Sequence, residues 1–393
     1  MINDTESPDH SFFTRFEILS GVKLCVVIPV KDEEAYILKN LTAFAMQVDL
    51  SGKPVKPEEF EILVLANNCS DDSAARIKEF QRNHPHMNIY LEEAILPSHQ
   101  ANIGYIRRKL MECAYTRLLK NGGGIILTTD GDTTVAKDWI SQTQREINNG
   151  AEAVGGRIFL YDDELECLDN LTRACHFKDE RYQLLIAELE SKIIGSAHDP
   201  YPRHHQHFNG SFAITTDCYK KSGGIPVVDD LEDCAFFDRL QNIDAKIRHS
   251  LKVRVHTSAR YLGRVTVGLS SQLNMWKNPD HFKNFTTESF HTVSNRLVKK
   301  KMLMDLWESK NRAGFNFNQS IKNIIPEIDV NEEIYYSFNN HCYFGAWYEE
   351  ILKLHQTHHL KKYPKVPIDT AIQDLETELK HYPDHSFSQT SIL

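Results

Sequence analysis

The sequence has no apolar run approaching the ~20 residues that a membrane-spanning helix requires, so no transmembrane segment is expected. It has no Cys-x-x-Cys pair. Its eight cysteines (Cys25, Cys69, Cys113, Cys167, Cys175, Cys218, Cys234 and Cys342) are scattered, several inside apolar runs. They read as reduced thiols of a cytoplasmic protein, which excludes a disulfide frame or a zinc cage. The chain also lacks a basic excess: 45 Lys and Arg stand against 54 Asp and Glu, a net charge of -9. A protein that works on a nucleic-acid backbone needs the opposite balance. A phosphate-bearing small molecule stays open, because a few placed cations and a metal suffice for it. Residues 1–20 lack the basic start and apolar stretch of a signal peptide. There is no internal repeat.

What is present is the composition of a globular protein with a core to bury, 41% hydrophobic over 393 residues. The first half alternates strand and helix signals. Leu24–Pro29, Glu61–Ala66 and Ile125–Thr129 are short apolar runs that suit buried parallel strands, and Asn88–Leu91 is a shorter one. Ile103, Ile106, Leu110, Ala114 and Leu118 form the stripe of an amphipathic helix. Strand and helix alternating at this spacing imply a doubly wound α/β sheet, whose ligands bind beyond the carboxyl ends of the strands. Three polar clusters sit at such ends: KDEE from Lys31, NNCSDD from Asn67 and DGD from Asp130. Beyond them the pattern predicts a helix over 163–194, a His- and Pro-rich loop over 197–207, a strand over 208–215, a helix over 231–240 and a strand over 253–261. After Gly268 helical signals dominate, with no clear strand, and the final SFSQTSIL reads as a frayed tail.

Asp130-Gly131-Asp132 carries the sharpest chemistry. Two carboxylates flanking a glycine can both reach one divalent cation, and Mg²⁺ and Mn²⁺ share such oxygen ligands with substrate phosphates. A bare acidic turn is the bland alternative. The same residues also resemble the nucleophile motif of haloacid-dehalogenase-type phosphatases, in which Asp130 would take the phosphoryl group. That family places this strand near the start of its catalytic domain, whereas here about a hundred residues of α/β pattern precede it.

VVIPVKDEE (Val26–Glu34), EILVLANNCSDDS (Glu61–Ser73), Asn102-Ile103-Gly104 with Arg107, the DGD turn, HFNGSFAITTDCY (His207–Tyr219), Glu232-Asp233 and VHTSARYLGR (Val255–Arg264) follow one another in an order that resembles the family 2 glycosyltransferases of GT-A fold. The resemblance covers about Val22 to Leu273. It implies a Rossmann-like mixed sheet flanked by helices, built to bind a nucleotide-diphosphate sugar. It implies donor-nucleotide contacts from Pro29, Val30, Asp32, Glu34, Asn67, Arg107, Asp130 and Gly131. It also implies Mn²⁺ or Mg²⁺ on Asp130 and Asp132, and an acceptor side at His207, Asn209 and Gly210. The family often has an Asp pair where this chain has Ala66 and Asn67. Asn67 can both donate and accept, so UDP- and GDP-linked donors both stay open.

Physical chemistry assigns roles to these groups. A diphosphate leaving group develops charge that a bridging metal neutralises, while the acceptor hydroxyl must lose a proton to a carboxylate. Asp130 and Asp132 suit the first task and Asp233 the second. Glu232 and Asp233 are adjacent at a helix start and point about 100° apart, so one can face the acceptor while the other holds a neighbour. His256 is a candidate third metal ligand, with a satisfied strand histidine as its alternative. Arg107 is either a phosphate contact or part of a solvated helix face. Arg296, Lys299, Lys300 and Lys301 form either a basic helix face that touches an anionic membrane or lipid-linked acceptor, or an ordinary solvated one.

The expectation is therefore a GT-A domain over 20–268 and a mainly helical extension over 269–393. The chain would act as a cytoplasmic, metal-dependent glycosyltransferase, inverting, with Asp233 as general base. Its acceptor is an unidentified glycan, lipid-linked or small molecule. The rivals are the phosphatase using Asp130 and a non-catalytic nucleotide-sugar binding protein.

Overall fold

A computed structural model describes residues 12–264, 267–326, 328 and 332–382; the C-terminal SFSQTSIL lies outside the described residues. The N-terminal half runs β1 (Leu24–Val30), α1 (Ile37–Ala45), β2 (Phe60–Asn67), α2 (Ser73–Asn83), β3 (Ile89–Ala94), α3 (Ile103–Lys120), β4 (Ile125–Thr129), β5 (Thr134–Val135) and α4 (Trp139–Asn148). It continues through β6 (Ala153–Leu160), α5 (Asp162–Cys167), α6 (Asn170–Ile194), β7 (Ser211–Thr215), α7 (Thr216–Ser222), α8 (Glu232–Asn242) and β8 (Ile247–Thr257). Every residue of β1 and β2 is buried, as strands covered on both faces must be.

These strands form one mixed sheet in the order β3-β2-β1-β4-β7-β6-β8-β5. β1, β2, β3 and β4 run parallel, and β7 enters antiparallel between β4 and β6. Side chains alternate across the sheet. Val26 and Ile28 of β1 join Ile37, Leu41, Phe44 and Trp139 on one face, while Val27 joins Ile106, Leu110, Leu118 and Phe236 on the other. The result is the helix-flanked mixed sheet expected of a GT-A fold. Among the described residues, no helix is long and apolar enough to cross a membrane.

The C-terminal part comprises α9 (Leu269–Trp276), α10 (Pro279–Lys283), β9 (Thr286–Thr287), α11 (Phe290–Glu308), α12 (Phe317–Ile324), α13 (Glu332–Asn340), α14 (Phe344–Lys362), β10 (Val366–Pro367) and α15 (Ile368–Glu378). It docks on the sheet domain at several places, one of them Leu273 and Trp276 of α9 against Leu160, Leu168 and Cys175. Leu185 and Leu189 of α6 pack with Val293 and Leu297 of α11 and with Ile368 and Leu375 of α15. At the far end of α8, Asp244 accepts from the Phe344 and Gly345 amides at 2.7 and 2.8 Å, which satisfies two of the orphan N–H groups that open α14. A Cβ on Gly345 would stand 1.9 Å from the Gln241 carbonyl, so only glycine permits this approach.

The structure departs from the sequence pattern in places with physical causes. β6 carries Gly155-Gly156, which masks its strand signal. Both glycines are demanded by neighbours, since added Cβ atoms would lie 2.6 Å from the Gln206 carbonyl and 2.1 Å from Ser211 Oγ. The single helix expected over 163–194 is two, because Asp169 caps a new start by accepting from the Leu171 and Thr172 amides. β8 begins at Ile247, earlier than its apolar run, and β9 pairs with β10 in a region where no strand was expected. In the basic run of α11, Arg296 pairs with Glu288 at 2.8 Å, Lys301 with Asp305 at 2.7 Å and Lys300 with Glu190 at 3.8 Å.

One carboxyl of α6 makes stability depend on pH. Burial, then the neighbouring Glu180, pushes Asp179 up from 3.8 to about 6. Its ionised form is therefore disfavoured in the folded state. The penalty is absent below the unfolded value near 4, grows as the pH rises through about 6, and is constant above that. Asp179→Asn should stabilise the protein by up to roughly 3 kcal/mol at pH 8 and by little at pH 4. Denaturant melts at the two pH values check this, and an equal effect at both contradicts it.

Candidate active site

The carboxyl ends of β1, β2 and β4 open onto one side, and the loops that leave them are sewn together. Asp32 Oδ1 accepts from the Ser70 amide at 2.6 Å and from Ser70 Oγ at 3.1 Å. The Glu33 amide donates to Ser73 Oγ at 2.7 Å and the Glu34 amide to Asp71 Oδ2 at 3.0 Å, while Glu34 Oε2 accepts from the Asp72 amide at 3.1 Å. Asp32 and Asn68 both adopt positive φ, 53° and 49°, a conformation that Asp and Asn tolerate better than most residues. Asp32 and Glu34 thus bind the β2 loop to the β1 loop. Pro29 and Val30 end β1, and Asn67 is buried at the end of β2.

The DGD turn is held from below by Asn40 of α1, whose Nδ2 donates to the carbonyls of Asp130 at 3.0 Å and Thr133 at 2.7 Å. Gly131 lies so close to β1 that a Cβ would meet Glu33 Cγ at 3.1 Å and the Pro29 carbonyl at 3.3 Å. The two aspartates differ. The side chain of Asp130 is 37% exposed and that of Asp132 11%. Asp132 accepts from Ser258 Oγ at 2.6 Å, and burial raises its pKa, with nearby Arg260 opposing the rise.

Arg107 of α3 is buried between the DGD turn and α8. Its Nη2 lies 2.5 Å from Asp130 Oδ1 and its Nε 3.4 Å from Glu232 Oε1. Nη1 donates to Thr128 Oγ1 at 2.6 Å and to the Asn209 carbonyl at 3.4 Å. One guanidinium therefore touches the proposed metal turn, the acceptor-side loop and the Glu-Asp pair. Glu232 is held there, and burial raises its pKa against the lowering effect of Arg107. Asp233 Oδ1 accepts from the Cys234 amide at 2.8 Å.

On the acceptor side, Asn209 is buried, and its Nδ2 has no hydrogen-bond partner among the described residues. Gly210 abuts Asp130: a Cβ there would stand 3.0 Å from Asp130 Oδ2. His207 stacks on Phe237 of α8 with centroids 3.8 Å apart, and burial lowers its pKa to about 4, so the ring is neutral near pH 7. His256 stacks on Phe159 and Tyr161 at 5.5 and 6.4 Å. The structure does not gather it with Asp130 and Asp132 into one ligand cluster. Among the described residues the cluster of ligand-type side chains that does converge is Asp32, Cys69 and Asp71, at the joined β1 and β2 loops.

A hard divalent cation suits Asp130 and Asp132 in donor chemistry. The space that Gly210 leaves at Asp130 Oδ2, where a Cβ would intrude, fits it sterically. Sequence reasoning passed over Asn40, Ser258 and Arg260. Asn40 gives no motif signal, being one polar residue inside an apolar helix face; the other two sit in the closing segment whose outline, though not their roles, was visible.

The strand-end loops, the acidic DGD turn and the Glu232-Asp233 start of α8 lie together on a helix-flanked mixed sheet of GT-A type. Residues 25–198, from β1 through the DGD turn to just past the end of α6, match the family model for glycosyl transferase family 2. No curated protein matches the chain. Among solved structures, the mannosyltransferase PcManGT from Pyrobaculum calidifontis, in complex with GDP-Man and Mn²⁺, is 12% identical, with 90% of this chain and 84% of that one covered and a TM-score of 0.43. S. aureus TarS 1-349 in complex with UDP-GlcNAc is 15% identical, with 93% of each chain covered and a TM-score of 0.43. Asn209, Glu232, Asp233 and Arg260 all lie beyond the matched segment.

Removing the buried guanidinium strands Asp130 and Glu232. Arg107→Met should lower stability by about 3–5 kcal/mol. Arg107→Lys should recover only part of this, because an ammonium cannot span four partners in a plane. Denaturant titration of the three proteins measures it, and equal midpoints would contradict the bridging role.

Proposed function

We propose that the protein transfers a sugar from a UDP- or GDP-linked donor to an acceptor hydroxyl with inversion at the anomeric carbon. The observation that carries this reading is the Arg107 bridge, which brings the DGD turn and the Glu232-Asp233 pair to one space. Asn67 and the joined β1 and β2 loops bind the nucleoside, and Arg107 orients Asp130. His207, Asn209 and Gly210 border the acceptor. Asp130 and Asp132 would hold Mn²⁺ or Mg²⁺, which when bound supplies charge neutralisation for the diphosphate. Asp233 takes the proton of the acceptor hydroxyl as that oxygen attacks and the bond to the diphosphate breaks. The neutral His207 ring, stacked on Phe237, gives the acceptor an apolar wall. The acceptor itself is a glycan, a lipid-linked sugar or a small molecule.

The donor is found by thermal shift with UDP- and GDP-sugars, with and without Mn²⁺, since a ligand of the native state raises its stability. With that donor and a competent acceptor, Asp233→Asn should lower turnover by roughly 10²–10⁴-fold and leave the donor dissociation constant nearly unchanged. The product anomer read by NMR should be inverted. Normal turnover of Asp233→Asn, or a retained anomer, would overturn the mechanism. Hydrolysis of simple phosphate esters abolished by Asp130→Asn would favour the phosphatase reading instead.

A further inference from the structure

The segment that follows β8 brings a cation into the donor side of the site. Arg260 Nη1 and Nη2 donate to Glu33 Oε2 and Oε1, both at 2.6 Å. The same Nη2 lies 3.0 Å from Asp132 Oδ2. Arg264 fastens this segment to the β1 loop, with Nε donating to the Lys31 carbonyl at 3.1 Å and Nη2 to the Asp32 carbonyl. A guanidinium thus stands between the loop after β1 and the turn after β4, where the strand-end rule places a ligand's phosphates.

Glu33 and Asp132 are both buried. Two buried carboxylates facing one another are costly unless a cation lies between them. The other side chains that donate to Asp132 are neutral hydroxyls: Ser258 at 2.6 Å on Oδ2, with Thr133 and Thr257 at 3.4 Å on Oδ1. Arg260 is therefore the cationic partner that Asp132 has in this arrangement. A guanidinium and a divalent cation on one carboxylate repel each other and compete for its lone pairs.

We propose that Arg260 is a resident counter-ion of the donor site that a divalent cation must displace from Asp132. The free protein then takes the cation poorly. The cation enters together with a nucleoside diphosphate, whose phosphate oxygens offer the released guanidinium a bidentate partner. This rests on the reading of Asp132 as a metal ligand given above. It adds an order of binding and assigns Arg260 a role in binding the donor's phosphates.

The test is Mn²⁺ titration of the donor-free protein, followed by the electron paramagnetic resonance of free Mn²⁺, on the wild type, Arg260→Gln, Arg260→Lys and the Arg260→Gln/Asp132→Asn double variant. A close charge pair of this kind is worth enough that Arg260→Gln should tighten Mn²⁺ binding about tenfold or more. Arg260→Lys keeps the charge and should stay near the wild type. The double variant should lose the gain. Binding by Arg260→Gln that is equal to or weaker than wild type overturns the proposal, as does tightening that survives in the double variant. A wild-type measurement stands apart from any folding defect: UDP or GDP should raise the protein's Mn²⁺ affinity by about tenfold or more, and by less in Arg260→Gln. Mn²⁺ affinity in the wild type that ignores the nucleotide also overturns it. If Asp132→Asn alone leaves wild-type Mn²⁺ binding with nucleotide intact, the metal reading of Asp132 fails and this proposal with it. If Asp132→Asn abolishes that binding while Arg260→Gln changes nothing, the metal reading stands and only the proposal fails.

Discussion

The guanidinium of Arg107, 3% exposed, meets Asp130 at 2.5 Å, Thr128 at 2.6 Å, and the Asn209 carbonyl and Glu232 at 3.4 Å each. Everything else in the site is placed relative to that plane. A charge buried so deeply survives only if opposite charge surrounds it, so the DGD turn and the start of α8 are obliged to converge on α3. That convergence brings the turn after β4, the loop before β7 and the start of α8 together at the polar strand ends. Further along α8 the chain is clamped again, where Asp244 caps α14. The helix bearing Glu232 and Asp233 is thus fixed at its start by a buried ion pair and at its end by the C-terminal helices.

The acidic residues of the site divide by task. Asp32, Glu34 and Asp71 accept from backbone amides and tie two loops together. Glu33 and Asp132 share Arg260. Asp130 alone among the two DGD aspartates is substantially exposed, beside a glycine that leaves it room. Arg107 and Arg260 each bridge a pair of carboxylates whose mutual repulsion would otherwise be uncompensated.

Much of this was legible in the residues because the signals are local. β4 begins and ends where its apolar run does, at Ile125 and Thr129, and α8 opens at Glu232 as its acidic start implies. Asp130, Asp132, Glu232 and Arg107 stand out in the sequence by type and position, but nothing in the sequence shows that Arg107 joins Asp130 to Glu232. Long-range packing hid the rest. β6 was obscured because contacts with Gln206 and Ser211 require Gly155 and Gly156 there, and β5 is two residues long and has no pattern to show. Arg260 lies 128 positions from Asp132 and 227 from Glu33, so no spacing rule could pair them. His256 shows the limit from the other side: its strand was expected, but its ring packs on Phe159 and Tyr161, a placement that only tertiary structure decides.

The central claim is that the ends of β1, β2 and β4, at the DGD turn, receive a nucleoside diphosphate together with a divalent cation. Crystals grown with Mn²⁺ and UDP or GDP, with data collected at a wavelength where manganese scatters anomalously, test this directly. The account predicts an anomalous peak within about 2.5 Å of a carboxylate oxygen of Asp130 or Asp132, with diphosphate density on its other side. A peak at Asp32, Cys69 and Asp71 instead, or nucleotide bound away from the ends of β1, β2 and β4, would contradict it.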